Sequence, residues 1–176
     1  LYRILESIAL CFPIVLAARA KNYEKSFEEL KKYFSNPNQG ERQILQKFIK
    51  DVIDPSLRAT SIRFLVQSNN PIWQEKYFNT LVEDTSQEMI LLDQKYIISK
   101  TFPSEIQVKS ECLVDLSIRI RDRYFHFLTG KGQSFTSDHL PNPNEFFSIV
   151  CEPIVNWIVV LYFEVISHEL ESMGLL

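Results

Sequence analysis

The stretch SEIQVKSECLVDLSIRIRDRYFHFL, residues 104–128, decides how the rest of the chain is read. At about 100° per residue, Val114, Ile118, Arg121, Phe125 and Leu128 fall on one stripe, and Leu113, Ile120, Tyr124 and Phe127 widen it. The opposite side carries Glu111, Asp115, Arg119, Asp122, Arg123 and His126. This pattern predicts one long helix from about Ser104 to Leu128, closed by Gly130.

The same period extends in both directions. YEKSFEELKKYF (23–34) and ERQILQKFIKDVI (41–53) place apolar residues three and four apart, with NPNQG (36–40) as the break between them. Asp54-Pro55 reads as a helix start with proline in the first turn, leading on through Leu57, Ile62, Phe64 and Leu65. SNNP (68–71) repeats that grammar and opens a segment through Trp73, Tyr77, Phe78 and Leu81. A capping-box pattern at Thr85-x-x-Glu88 would restart it, and the segment would close near Lys100. After the long loop KGQSFTSDHLPNPN (131–144), Asn142-Pro143 starts a last helix to about Ser172, with a kink expected at Pro153. The expected fold is therefore all-α, a single helical bundle of five or six helices over residues 1–176.

Composition narrows the function. A net charge of −3 excludes a strongly basic nucleic-acid binder, so any RNA contact has to come from a local cluster. Three cysteines, Cys11, Cys112 and Cys151, lie far apart with no CxxC pair, which argues against a disulfide framework or zinc site and fits the reducing cytoplasm. Four glycines leave no Walker loop or dinucleotide fingerprint, and no cofactor or metal is expected. IALCFPIVLAARA (8–20) and IVNWIVVLYFEVI (154–166) are apolar. The first, preceded by Arg3 and Glu6, reads as the first helix of a domain excised from a longer protein, since the chain opens at Leu1. The second is shorter than the ~20 residues a bilayer needs and carries Asn156 and Glu164, so a core helix is expected, with no membrane partner.

Arg119 and Arg123 are explained as neighbours on a solvated face, with Asp115 and Asp122 in pairing range. Arg121 is not, because it interrupts the apolar stripe, where an unpaired guanidinium would cost several kcal/mol. Either a buried carboxylate answers it, or the stripe meets a groove, a ligand or a second subunit. His126 follows Asp122 by four residues, so the carboxylate can bond one ring nitrogen and fix its tautomer. An arginine to hold a scissile phosphate and a tuned histidine to move a proton on or off the sugar oxygens make a minimal kit for metal-free RNA cleavage. The 2′-hydroxyl would serve as nucleophile and a 2′,3′-cyclic phosphate would be the product.

RDRYFH (121–126) resembles the arginine, polar residue, three residues, histidine motif of HEPN domains, small all-α proteins found in toxin and defence systems. The order of long helix, loop and apolar helix over roughly 100–172 resembles theirs, while Phe127 stands where a small residue is usual. The resemblance implies an endoribonuclease whose site forms between two copies in a homodimer. Arg121 would bind phosphate, Asp122 would orient it, and His126 would be the catalytic histidine. Arg119 and Arg123 would be available to the RNA backbone, and an antitoxin or other protein partner is in keeping with such systems. The competing expectations are a non-catalytic helical interaction or scaffold domain of a larger protein, and a ligand-binding helical bundle lined by the aromatic helices.

Other constellations carry less. Glu164 and His168 are an i, i+4 pair without the repeats a di-iron site needs, and SHELES is not a zinc-protease motif. Cys112 and His126 are about 21 Å apart on one helix, at 1.5 Å per residue, which excludes a catalytic pair there. His139 reads as a loop residue, and Trp73, Tyr77 and Phe78 as core.

Overall fold

A computed structural model describes residues 13–14, 17, 22–34, 40–52, 55–58, 60–82, 91–125, 134–172 and 174–175. The chain divides into two compact units, Leu1–Pro55 with Leu161–Leu176, and Ser56–Val160.

The first unit contains α1 (Tyr23–Phe34) and α2 (Glu41–Val52). Asn22 caps α1, its Oδ1 accepting from the Lys25 amide at 2.8 Å. Tyr33, Ile44, Leu45 and Ile49 are buried, while the Lys47 ammonium reaches the Lys32 carbonyl between the two helices. Of the expected first helix, the described residues 13, 14 and 17 are helical.

The second unit overturns the all-α expectation. After the single turn α3 (Pro55–Arg58) come β1 (Ser61–Leu65), α4 (Pro71–Val82), a 3₁₀ turn at Gln94–Tyr96, β2 (Ile97–Thr101) and β3 (Glu105–Lys109). A second 3₁₀ turn, Ser110–Cys112, leads into α5 (Leu113–Phe125), and α6 (Pro143–Ser172) follows the loop. The strands form an antiparallel sheet in the order β1-β3-β2, so the protein is mixed α/β rather than a helical bundle. The long helix expected from Ser104 begins at Leu113, and the segment expected to stay helical to Lys100 has become β2.

The reason is a period of two hidden inside a helical reading. Ile62, Phe64 and Val66 alternate with exposed Ser61, Arg63 and Leu65; Ile106 and Val108 alternate on β3 in the same way. Phe64, Val66, Ile106 and Val108 are fully buried, so one face of the sheet supplies the unit's core. Register pairs Ser61 with Lys109 and Leu65 with Glu105. Beyond the strand ends the Ser110 amide donates to the Thr60 carbonyl at 3.0 Å and the Val66 amide to the Ser104 carbonyl at 2.8 Å. Both bonds join even-numbered β1 positions to β3. In an antiparallel ladder, bonded and non-bonded pairs alternate, so Ile62 and Phe64 also bond β3 and the main-chain groups of Ser61, Arg63 and Leu65 point away from it.

Helix starts follow the sequence reading. Asn70 precedes Pro71 and accepts from the Ile72 amide at 3.0 Å; Asn142 precedes Pro143 and accepts from the Glu145 amide at 3.4 Å. α6 runs unbroken through Pro153. Within the second unit it buries Phe146, Val150, Ile154, Trp157 and Ile158, and its other side leaves Val155, Val159 and Val160 exposed. It therefore presents apolar residues on both sides but buries one.

Tyr77 ties α4 to the start of α6. Its ring lies 5.8 Å from that of Phe146, and its hydroxyl is 3.1 Å from Glu145 Oε2 and accepts from the Asn142 amide at 3.2 Å. Burial first, and then the Glu145 carboxylate, push its pKa from the ordinary 10.0 to about 12. A raised folded-state pKa means that stability is intact below the unfolded value and is lost as pH rises through the folded one. Denaturant unfolding should show stability falling between pH 10 and 12. Tyr77→Phe should remove that component and cost about 1 kcal/mol at pH 7. A tyrosine absorbance titration with no group moved upward would contradict the assignment.

Candidate functional site

Of the expected site residues, Arg119, Arg121, Asp122 and Arg123 lie on α5, which begins deep in the second unit. Cys112, Leu113, Val114, Leu116, Ser117 and Ile118 are all buried, so the first half of the helix is covered on every side. The Ser117 hydroxyl is satisfied by donating back to the Leu113 carbonyl at 2.7 Å. Asp115, expected on a solvated face, is buried at 9 % exposure. Arg119 is half-buried, and its Nη1 approaches the Leu91 carbonyl at 3.5 Å. The amide and ammonium of Lys95 hold Asp93 below the usual carboxylate range, and the charge of Arg119 adds to this. Arg119 is thus engaged inside its own unit, which is a different setting from the open helix face expected of it.

Burial ends one turn later, and there Arg121 sits. Its side chain is 28 % exposed, and both Nε and Nη2 donate to Asp122 Oδ1, at 2.8 and 2.6 Å. A carboxylate that answers this guanidinium is that of the next residue, itself 47 % exposed. Such a charge-assisted fork fixes the plane of the guanidinium at the surface. Arg123 is half-buried, and its carbonyl accepts from the Phe135 amide at 3.4 Å, which ties the loop before α6 to this turn. Tyr124 packs edge-on against Phe147 of α6 at 4.7 Å. His126 and Phe127 lie outside the described residues, and so does the expected Asp122–His126 contact.

His139 serves its loop. Its Nδ1 is 2.7 Å from Thr136 Oγ1 and 3.2 Å from the Thr136 amide, and its carbonyl accepts from Thr80 Oγ1 at 3.1 Å. Among the described residues, no three His, Cys, Asp or Glu side chains gather as a metal site would require.

A concavity of about 620 Å³ lies elsewhere in the second unit, between β1 and the first half of α6. Ser61, Arg63 and Leu65 line one side, and Ile149, Glu152 and Asn156 the other. Sequence reasoning missed it because it placed 62–65 on a helix; the alternation of Ile62, Phe64 and Val66 with polar or exposed neighbours was the available signal. Arg63 is engaged by Glu105 at 3.2 Å, and Glu145 at the end of the cleft by the Tyr77 hydroxyl.

Comparison with protein-family models, with curated proteins and with solved structures finds no match for this chain.

Burial, and then the negative charge of Asp115, raise the Cys112 thiol to about 12. In the folded protein Cys112 should therefore react with a maleimide at least ~100-fold more slowly than in denaturant, read by mass spectrometry of the labelled peptide. Rapid native labelling of Cys112 would show that this end of α5 is not packed as described.

Proposed function

We propose that the chain is a HEPN-like domain of the cytoplasm that cleaves RNA without a metal, using Arg121, Asp122 and His126. In this reading Arg121 grips the scissile phosphate and Asp122 holds the guanidinium in plane. His126 takes the proton of the 2′-hydroxyl as its oxygen bonds phosphorus. The bond from phosphorus to the 5′-oxygen breaks, the leaving oxygen gains a proton, and a 2′,3′-cyclic phosphate remains. A second copy brings a second histidine, which divides the roles of base and acid between two subunits. Arg119 and Arg123 would add to the positive field at this turn.

The observation that carries this reading is the Arg121–Asp122 fork at the point where α5 emerges from the core. Arg121 is partly exposed there and is held by the residue to which the family resemblance gives the orienting role. The order of α5, loop and apolar α6 adds to that support.

A second reading, a non-catalytic interaction or scaffold domain, is favoured by the outer side of α6. Within the second unit Val155, Val159 and Val160 are exposed and spaced by four or one along the helix. Patches of this kind mark surfaces that meet another molecule. By length and composition Pro143–Glu164 would also cross a membrane, although 39 % of its apolar window is buried.

An RNA degradation assay with chelator present separates the readings. Wild type should generate cyclic-phosphate ends, and Arg121→Ala or His126→Ala should each slow cleavage at least ~100-fold with the circular dichroism spectrum unchanged. Light scattering should then report a homodimer. Cleavage that ignores both substitutions overturns the nuclease, and a monomer inert on RNA selects the interaction domain.

A further inference from the structure

We propose that the cleft between β1 and α6 binds an extended peptide of a partner protein, which joins the sheet as a fourth strand on the β1 edge and sets a lysine or arginine against Glu152. This site is independent of the ribonuclease reading and shares no residue with it.

Three observations converge on it. First, β1 is an edge strand, and the outward main-chain groups of Ser61, Arg63 and Leu65 have no partner among the described residues. An edge of this length with open N–H and C=O groups is a template for strand addition. Its usual protections are absent: the strand contains no proline and no bulge against β3, and its one charge, Arg63, is engaged by Glu105. Second, the edge faces a walled space and not open solvent. Pro153 contributes to the opposite wall, and since proline has no N–H, the Ile149 carbonyl one turn earlier lacks its helical donor. Ile149 also lines the cleft, so its wall holds a main-chain acceptor as well. Third, the charge is asymmetric. Arg63 and Glu145 are already answered, whereas exposed Glu152 makes no hydrogen bond or ion pair among the described residues. The unanswered charge in the cleft is therefore negative, and a basic side chain on the peptide complements it. A nucleic-acid strand fits neither that charge nor the spacing of the edge groups.

The test uses the whole chain and a fluorescent seven-residue peptide of alternating valine and lysine, read by anisotropy. Main-chain pairing tolerates sequence, so this probe should bind, and an alternating valine–glutamate peptide should bind at least ~10-fold more weakly. N-methylating alternate peptide amides in one register should weaken binding at least ~10-fold, and in the other register leave it intact, because a strand presents one set of amides to its neighbour. Glu152→Lys should weaken the lysine peptide at least ~10-fold and favour the glutamate peptide. In NMR, the Ser61, Arg63 and Leu65 amides should gain protection from exchange when peptide is added. No binding up to millimolar peptide, equal effects of methylation in both registers, or a Glu152→Lys variant that binds unchanged would each overturn the proposal. The methylated peptides test it without altering the protein, so a misfolded variant cannot decide the result.

Discussion

Alternation of main-chain hydrogen bonds along β1 is the constraint from which the second unit follows. Because Thr60 and Val66 are tied to β3, the even positions between them share that ladder and the odd positions face outward. One face of the sheet then buries Phe64, Val66, Ile106 and Val108 completely, each a gain of about 1.5–3 kcal/mol relative to exposure. The opposite face is left to Arg63, Glu105, Ser99 and Gln107, which pair across strands as an ion pair and a hydrogen bond. A slip of one residue would exchange these two sets, so the buried phenylalanine fixes the register. Fixing the register also fixes which main-chain groups remain open, and so the sheet's packing and its unpaired edge have one origin.

The same sheet positions α5. β3 ends at Lys109, a single 3₁₀ turn follows, and α5 starts already buried at Leu113. A helix that starts in the core and emerges from it turns its last exposed residues into a surface feature. Arg121 lies at that transition. The desolvation cost that makes a buried guanidinium expensive is avoided because the side chain is partly hydrated and shares a carboxylate with its neighbour. Exposure keeps the pair's own contribution to stability small. Its importance lies in orientation, since both donors converge on one oxygen.

Where the sequence was legible, a strong local signal agreed with the tertiary outcome. Asn70-Pro71 and Asn142-Pro143 each combine a capping side chain with a proline suited to the first turn, and both start helices. The bounds of α1, α2 and α6 follow from long amphipathic or apolar runs. The sheet was not legible because each strand has five residues, leaving two or three apolar positions to show a period. Ile106 and Val108 stand just before Leu113 and Val114, and extending the helical stripe backward absorbed them. Phe64 and Leu65 are adjacent, which suits either period, and Val66 completes the alternation only after the strand has ended. Of the candidate site, the contact between Arg121 and Asp122 was not read from the sequence, because adjacent residues on a helix do not face each other, and neither were the burial of Asp115 and the engagement of Arg119. The engagement of Arg119 depends on Leu91 and Asp93, which meet α5 from a segment expected to be helical. The cleft was illegible for the same cause as the sheet that forms its wall.

The central claim is the antiparallel register of β1 on β3, and cross-strand contacts between α-protons measure it most directly. In non-hydrogen-bonded antiparallel pairs these protons approach closely. Strong NMR cross-peaks are therefore expected for Ser61 with Lys109, Arg63 with Gln107 and Leu65 with Glu105, and weak ones for Ile62 with Val108 and Phe64 with Ile106. Medium-range contacts between residues three apart across 104–112, the signature of a continuous helix into α5, would contradict the register, the core it builds and the open edge it leaves.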